Sequence, residues 1–259
     1  MLLASGCSDV PDERLSSIEL DGPALEWIGT QVFQNECAGK ETCLVHWNEG
    51  EAFPSLGIGH FIWYPEGVEG PFVESFPAMI QHLVAQEVVL PEWLTDLYPF
   101  DAPWPDRAAL LQASETERTD ELRDFLFRTR GQQAGFLVRR AEEALGRVVA
   151  AAPESDQSVI SERIDALIRT PGGTYALIDY VNFKGEGLAA TERYDGQGWG
   201  LLQVLQAMSG GKSEPTLQTF RKAAAQVLVQ RAENADKAIE RERWLPGWLN
   251  RLETYREPL

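Results

Sequence analysis

The spacing of apolar residues changes near residue 40. Between residues 23 and 36, Leu25, Ile28 and Val32 recur at helical intervals. This spacing predicts an amphipathic helix, and the proline at its start suits a first turn. Over residues 42–64 β-branched and aromatic side chains dominate on both sides of a polar Asn-Glu-Gly turn. That pattern is typical of a small hairpin or irregular sheet.

Beyond residue 75 the pattern is helical almost throughout. The segment 174–183 is strongly apolar, so we expect it to be a buried central helix. A small sheet-bearing lobe followed by a larger helical lobe predicts an α+β fold, and a cleft between such lobes is a natural binding site. The predicted helices cover residues 76–90, 108–131, 133–151, 155–170, 174–183, 201–208, 213–231 and 241–256.

The charge balance narrows the classes of function. The chain has 259 residues with 40 acidic and 23 basic side chains, a net charge of −17. Nucleic acid is excluded as a partner, because phosphate binding needs clustered Lys and Arg and the basic residues here are scattered. No run of about 18 apolar residues occurs, so the sequence predicts no transmembrane helix. A chain of this length can bury a core without disulfides.

The N-terminal cysteine indicates a location. Cys7 stands in the run Leu-Ala-Ser-Gly-Cys-Ser, which resembles the cleavage box of bacterial lipoproteins, although only six residues precede it and none is basic. In such proteins the cysteine is acylated and becomes the first mature residue. We therefore expect residues 1–22 to be a tether lipidated at Cys7. The expected location is the periplasm or cell envelope, and an outer-membrane anchor fits it. The alternative is an ordinary thiol in an N-terminal tail.

Two further cysteines lie near the end of the first predicted helix. Cys37 and Cys43 are six residues apart. In an exported protein they would meet oxidising conditions and form a disulfide that fixes the helix end carrying Glu36. In the cytosol they would be two free thiols, and the sequence leaves both possibilities open.

Carboxylates near this helix end suggest glycosidic bond cleavage. That reaction needs one carboxylic acid to protonate the leaving oxygen and a second acidic group to stabilise the transition state or activate water. Glu36 fits the first role, because an apolar setting favours the protonated form of a carboxyl group. Glu49 or Glu51, in the polar turn, fits the second. The alternative for each glutamate is a solvated surface charge.

The run Gly57-Ile58-Gly59-His60, after an acidic turn and a helix-ending glutamate, resembles the phage-type lysozymes. In that family the catalytic glutamate closes the first helix, and a hairpin carries an acidic residue, a hydroxyl and then GIGH or GYGH. The resemblance implies that Glu36 is the general acid, Glu49 the second carboxylate and Ser55 the hydroxyl that positions water. Glu49 replaces the family's aspartate and Ser55 its threonine.

The resemblance covers residues 24–65 and 174–256. It implies a lysozyme-like domain over residues 23–259 with a helical insertion at about 66–173. The implied reaction is hydrolysis of the β-1,4 link between N-acetylmuramic acid and N-acetylglucosamine. The implied partner is the glycan strand of peptidoglycan, with membrane contact only through the N-terminal lipid.

The three histidines do not form a metal-binding motif. We expect His60 to lie beside Glu36 and to stabilise the hairpin. In this position it would also contact substrate. His46 and His82 are isolated, and no HExxH or paired pattern occurs. We therefore expect neither a metal nor another cofactor.

A second candidate region is rich in Gly, Tyr and Trp. Tyr194, Gln197 and Trp199 are expected to line the cleft, because aromatic rings stack on the apolar face of a pyranose. The alternative is a packed helix N-terminus. The end of this region, Gly-Leu-Leu-Gln, is similar to an element of lytic transglycosylases. For Trp244, Trp248 and Arg251 the sequence leaves open whether they face the cleft or the core, and core packing is favoured for both tryptophans.

Three functions remain open at this stage. The first is a peptidoglycan-cleaving glycoside hydrolase with Glu36 as general acid. The second is a lytic transglycosylase that uses Glu36 alone. The third is a catalytically inactive lysozyme-like module that binds glycan or a protein partner.

Overall fold

The computed structural model describes residues 15–209 and 216–258. Cys7 and most of the expected tether lie outside these residues. The described chain is mostly helical and has a small antiparallel sheet, which agrees with the α+β class. None of its described helices combines the length and the apolar character needed to cross a bilayer.

The helices follow the predicted order with different limits. They are α1 (Gly22–Cys37), α2 (Phe76–Ala85), α3 (Glu92–Thr95), α4 (Arg107–Gln112), α5 (Glu117–Arg128), α6 (Arg130–Ala151), α7 (Glu154–Ile168), α8 (Pro171–Lys184), α9 (Leu201–Ala207), α10 (Thr216–Asn234) and α11 (Leu245–Leu252). A 3-10 turn at Glu41–Leu44 follows α1, and a π-helical turn at Glu240–Trp244 precedes α11. The strands are β1 (Val45–His46), β2 (Ser55–Leu56), β3 (Phe61–Ile62), β4 (Arg193–Tyr194) and β5 (Gln197–Gly198).

Two of the predicted helices have different limits in the structure because of local hydrogen bonds. One ends early and the other is divided. The helix expected over 76–90 ends early because Glu87 adopts a left-handed φ of 58°, which lets the amide of Val88 bond to the carbonyl of Leu83. The helix expected over 108–131 is divided because the Thr116 hydroxyl donates to the Ala113 carbonyl at 2.8 Å. Such side-chain bonds to the backbone compete with continued helix.

The first three strands form an antiparallel sheet in the order β1-β2-β3. The chain turns between β2 and β3 through Gly57, whose φ is 68°. A side chain on Gly57 would place its Cβ 2.4 Å from Oε1 of Gln133, so glycine is required there by both conformation and space. The same Oε1 accepts a hydrogen bond from the Ile58 amide at 3.0 Å. The fully buried Gln133 thus fixes this turn to α6.

The core lies where α6 packs on α1 and α8. Gly29 of α1 approaches α6 so closely that a Cβ there would lie 2.4 Å from the carbonyl oxygen of Arg130. Helix α8 is buried along most of its length, as its apolar sequence predicts, and Tyr175 and Tyr180 have no exposed surface. The segment 66–173 is therefore part of this core, since it contributes α6.

Candidate functional site

Glu36 occupies the last turn of α1, and its side chain is 15% exposed. Its Oε1 is bound by the guanidinium of Arg251 from α11. Nδ2 of Asn182 in α8 donates to the same oxygen at 3.4 Å, and Nδ1 of His60 lies 3.6 Å from Oε2. Three separate elements thus converge on one carboxylate. These surroundings of Glu36 are polar and charged. The expectation that Glu36 lies in an apolar setting is therefore wrong.

Arg251 is shared between two carboxylates. Its Nε and one terminal nitrogen donate to the two oxygens of Asp179, both at 2.8 Å. Asp179 is only 1% exposed and also accepts a hydrogen bond from the Tyr255 hydroxyl at 2.7 Å. Burial disfavours the charge of Arg251, but hydrogen bonds and charge from Asp179 and Glu36 outweigh it and raise its pKa above the ordinary value. The guanidinium is therefore permanently charged.

Asn35 supports the residues beside Glu36. Its Nδ2 lies 2.5 Å from the Tyr175 hydroxyl, 3.2 Å from Oγ1 of Thr254 and 3.3 Å from Oδ1 of Asp179. Burial raises the pKa of Tyr175, so that its hydroxyl stays protonated. Through these contacts α1, α8 and the segment after α11 hold one another in place.

His60 lies in the turn between β2 and β3 with a left-handed φ of 47°. Its Nδ1 is directed toward Glu36, and its Nε2 lies 3.4 Å from Sγ of Cys43. Burial lowers the pKa of His60, although the charge of Glu36 acts in the opposite direction. The imidazole is thus placed next to Glu36, which is the position that the sequence predicts for it.

Cys37 and Cys43 are joined by a disulfide with their Cα atoms 5.4 Å apart. The chain reverses between them through Ala38 and Gly39, which have φ values of 48° and 71°. The bond connects the end of α1 to the 3-10 turn before β1. A closed loop this short stabilises the fold by about 2 kcal/mol in the chain-entropy account. Its local effect is to fix the helix turn that carries Glu36.

The other two catalytic candidates lie on the sheet side. Glu49 and Glu51 are both exposed, in the turn between β1 and β2. Glu51 accepts a hydrogen bond from Nδ2 of Asn48 at 3.1 Å, and its charge raises the pKa of His60 against the effect of burial. Ser55 lies in the central strand and is 6% exposed. Among the contacts of the described residues, none joins Glu49 or Ser55 to Glu36.

A cleft of about 940 Å³ opens next to this site. One wall is the loop after β3, where Phe72 is 59% exposed and Val73 is 86% exposed. The other walls are α6, with Arg140 and Arg147, and α8 with the turn that follows it. Asn182, which bonds to Glu36, also lines the cleft. The cavity therefore reaches the immediate neighbour of the carboxylate.

Tyr194, Gln197 and Trp199 do not line this cleft, so the expectation that they do is wrong. The Tyr194 hydroxyl donates to Oε1 of Glu240 at 2.7 Å, and Trp199 is buried with Arg231 stacked 4.0 Å above its ring. Strands β4 and β5 thus pack against α10 and the π-helical turn. Aromatic and glycine-rich composition fits such a packed corner as well as it fits a sugar site.

The sequence patterns did not identify two residues of the site, and they left the position of a third undecided. Asp179 and Asn182 are polar positions within the apolar run of α8, three residues apart and so on one helix face. This spacing of two polar residues in an apolar helix is a feature of the sequence that could have identified them as site residues. Arg251 was left open between cleft and core, and the structure places it against Glu36.

Comparisons of the chain with models of protein families, with curated proteins and with solved structures found no match. Function must therefore be argued from the chemistry of the site, since a fold class alone implies none. The structure supplies a mostly buried carboxyl group, a shared guanidinium and an adjacent cleft.

Proposed function

We propose that the chain is a lysozyme-like glycoside hydrolase that cleaves the β-1,4 link between N-acetylmuramic acid and N-acetylglucosamine, with Glu36 as general acid. The observation that carries the proposal is the position of Glu36. Its carboxyl group is mostly buried, held by residues from three elements, and contacted by Asn182, which lines a cleft of about 940 Å³. The motif over residues 57–60 adds support, because it turns His60 toward the same carboxylate.

A general acid must carry a proton when substrate is bound. Asp179 takes two hydrogen bonds from Arg251 and one from Tyr255, so the guanidinium is held in place independently of Glu36. Glu36 is the second of the two carboxyl groups that contact Arg251. In the proposed reaction Glu36 gives its proton to the leaving glycosidic oxygen.

The second carboxylate must act on the opposite face of the sugar ring. The resemblance assigns this role to Glu49, with Ser55 positioning the water. Glu51 is the alternative candidate for this role, because its charge raises the pKa of His60, which itself lies next to Glu36. Both glutamates lie on one exposed turn, and a bound glycan would have to pass this turn for either to act.

The cleft lining combines exposed apolar surface with charged side chains of both signs, namely Arg140, Arg147, Glu143, Glu186 and Glu192. Phe72 and Val73 offer exposed apolar surface on which a pyranose ring can stack. On the facing wall, Arg140 is exposed and forms no ion pair with the described residues, whereas Arg147 is bound by Glu186. A guanidinium that no carboxylate of the described residues binds suits the carboxylates of lactyl and peptide groups. Peptidoglycan offers both pyranose rings and carboxylates. A protein that acts on peptidoglycan would lie in the cell envelope.

The direct test is to incubate the purified protein with peptidoglycan and to analyse the fragments by mass. New reducing ends would support hydrolysis. Ends in the 1,6-anhydro form would mean a lytic transglycosylase that uses Glu36 alone. The absence of fragments would mean a binding module, and would contradict both enzymatic proposals.

A further inference from the structure

Three side chains beside the proposed catalytic centre have the geometry of a metal site. Nε2 of His60 lies 3.4 Å from Sγ of Cys43 and 4.0 Å from Sγ of Cys37. All three ligand atoms lie within 4.8 Å of one another. In a tetrahedral zinc site, with Zn–S near 2.3 Å and Zn–N near 2.0 Å, sulfur and nitrogen ligands are roughly 3.5 Å apart. Both sulfur–nitrogen distances are close to this value.

While the disulfide exists, its sulfurs have no thiolate to offer a metal. Reduction by a dithiol breaks the bond between Cys37 and Cys43, gives two thiols and converts the dithiol into its own disulfide. The sulfurs can then separate to the roughly 3.8 Å that a zinc tetrahedron requires. The short loop between them keeps both cysteines at the end of α1, next to His60.

We propose that the reduced chain binds one zinc ion through Cys37, Cys43 and Nε2 of His60, and that the oxidised chain does not. Binding replaces the two thiol protons with the metal, and both protons are released to solvent. Two thiolates and one imidazole are a ligand set that zinc prefers, and a fourth position remains for water. The sequence pattern predicted no metal, because the set is assembled only when the turn at residues 57–60 folds onto α1.

The second nitrogen of His60 supports the assignment. Its Nδ1 lies 3.6 Å from Oε2 of Glu36, so the metal-facing Nε2 and the carboxylate-facing Nδ1 are on opposite sides of the ring. A histidine that ligates zinc commonly donates its other N–H to a carboxylate, which fixes the ring and strengthens the ligand. Glu36 is therefore a positioning residue for the metal. The inference does not depend on the proposed glycosidase activity.

The test is a titration of the reduced full chain with Co²⁺, followed by competition with Zn²⁺. Cys7 is first changed to serine so that the only thiols are Cys37 and Cys43. We expect the sulfur-to-cobalt charge-transfer band and the intense visible bands of a tetrahedral site, at one ion per chain, with displacement by Zn²⁺. The oxidised chain should show neither band. Near-ultraviolet circular dichroism checks that the reduced chain keeps its packed core.

Three variants in the Cys7→Ser background make the result specific. Cys37→Ser with Cys43→Ser should abolish the charge-transfer band, and His60→Gln should weaken binding at least 100-fold. Glu36→Gln should weaken it about 10-fold, as loss of a carboxylate behind a histidine ligand does. His82→Gln is the matched control and should bind like the parent. The proposal is overturned if the reduced parent binds no more cobalt than the oxidised chain, or if His60→Gln binds as tightly as the parent.

Discussion

Arg251 binds Glu36 across 215 residues of sequence, so that the last described helix completes a site built on the first. The same guanidinium holds the buried Asp179 of α8. One cation therefore joins three helices, and the surroundings of Glu36 form only when α11 has docked. Loss of this cation should affect both stability and function.

Replacing Arg251 by methionine should lower the free energy of unfolding by about 3–5 kcal/mol, because the buried Asp179 would be left without its counter-charge. Adding Asp179→Asn should restore part of this loss, since the amide needs no cation. Urea denaturation of the single and double variants measures both effects. The exposed Arg241→Met serves as the control and should change stability by less than about 0.5 kcal/mol. Equal stability of Arg251→Met and Arg241→Met would show that Arg251 does not pair with the buried Asp179.

Lys184 should make stability depend on pH. It is 9% exposed, and its amine lies 3.5 Å from the centre of the Trp248 ring and 4.0 Å from that of Phe183. Burial and the charges of Arg231 and Arg251 lower the pKa of Lys184 to about 7, against 10.5 for the ordinary group.

The sign follows from proton counting. Between pH 7 and 10.5 the unfolded chain binds more protons at Lys184 than the folded chain does, so the folded state gains stability as pH rises through this window. Denaturation at pH values of about 7 and about 9 should show this gain in the parent and a flatter dependence in Lys184→Met. The same pH dependence in both proteins would mean that the amine is solvated.

The turn between β1 and β2 should supply the second catalytic carboxylate. If Glu49 has that role, Glu49→Gln should lower kcat for peptidoglycan about 100-fold or more, while Glu51→Gln stays within a few-fold of the parent. The reverse order would assign the role to Glu51. The two variants are matched controls for each other, because both residues are exposed on one turn. If neither variant loses activity, a two-carboxylate mechanism does not apply.

Arg140 should select substrates by charge. Arg140→Gln should raise KM for peptide-bearing peptidoglycan about 10-fold and leave KM for the same peptidoglycan with amidated carboxyl groups unchanged, because only the former offers carboxylates to the guanidinium. Arg139→Gln, an exposed neighbour that does not line the cleft, is the control. An equal change for both substrates would indicate a general disturbance of α6.

Local features of this fold were accessible from sequence, and long-range ones were not. The helix that carries Glu36 and the turn at residues 57–60 depend on near neighbours and on glycines that the backbone requires, so their patterns were informative. The division of the predicted helix at Thr116 depends on one hydroxyl that bonds to the backbone. The spacing of apolar residues does not indicate such a bond.

The site shows the same difference. Glu36 and His60 were placed together from a motif, but Arg251 and Asn182 reach Glu36 only through tertiary packing. Trp199 illustrates the converse, because an aromatic residue beside glycines was assigned to the cleft and is instead buried under Arg231. Composition does not distinguish a ring that stacks on sugar from one that stacks on a guanidinium.

The central claim is that Glu36 donates the proton that cleaves the glycan, and Glu36→Gln tests it most directly. The control is Glu26→Gln, on the same helix and paired with Arg130. Fragment release from peptidoglycan, measured by mass as new reducing ends, should fall about 10²–10⁴-fold in Glu36→Gln and stay near the parental rate in Glu26→Gln. Fragment release by Glu36→Gln at the parental rate would contradict the account.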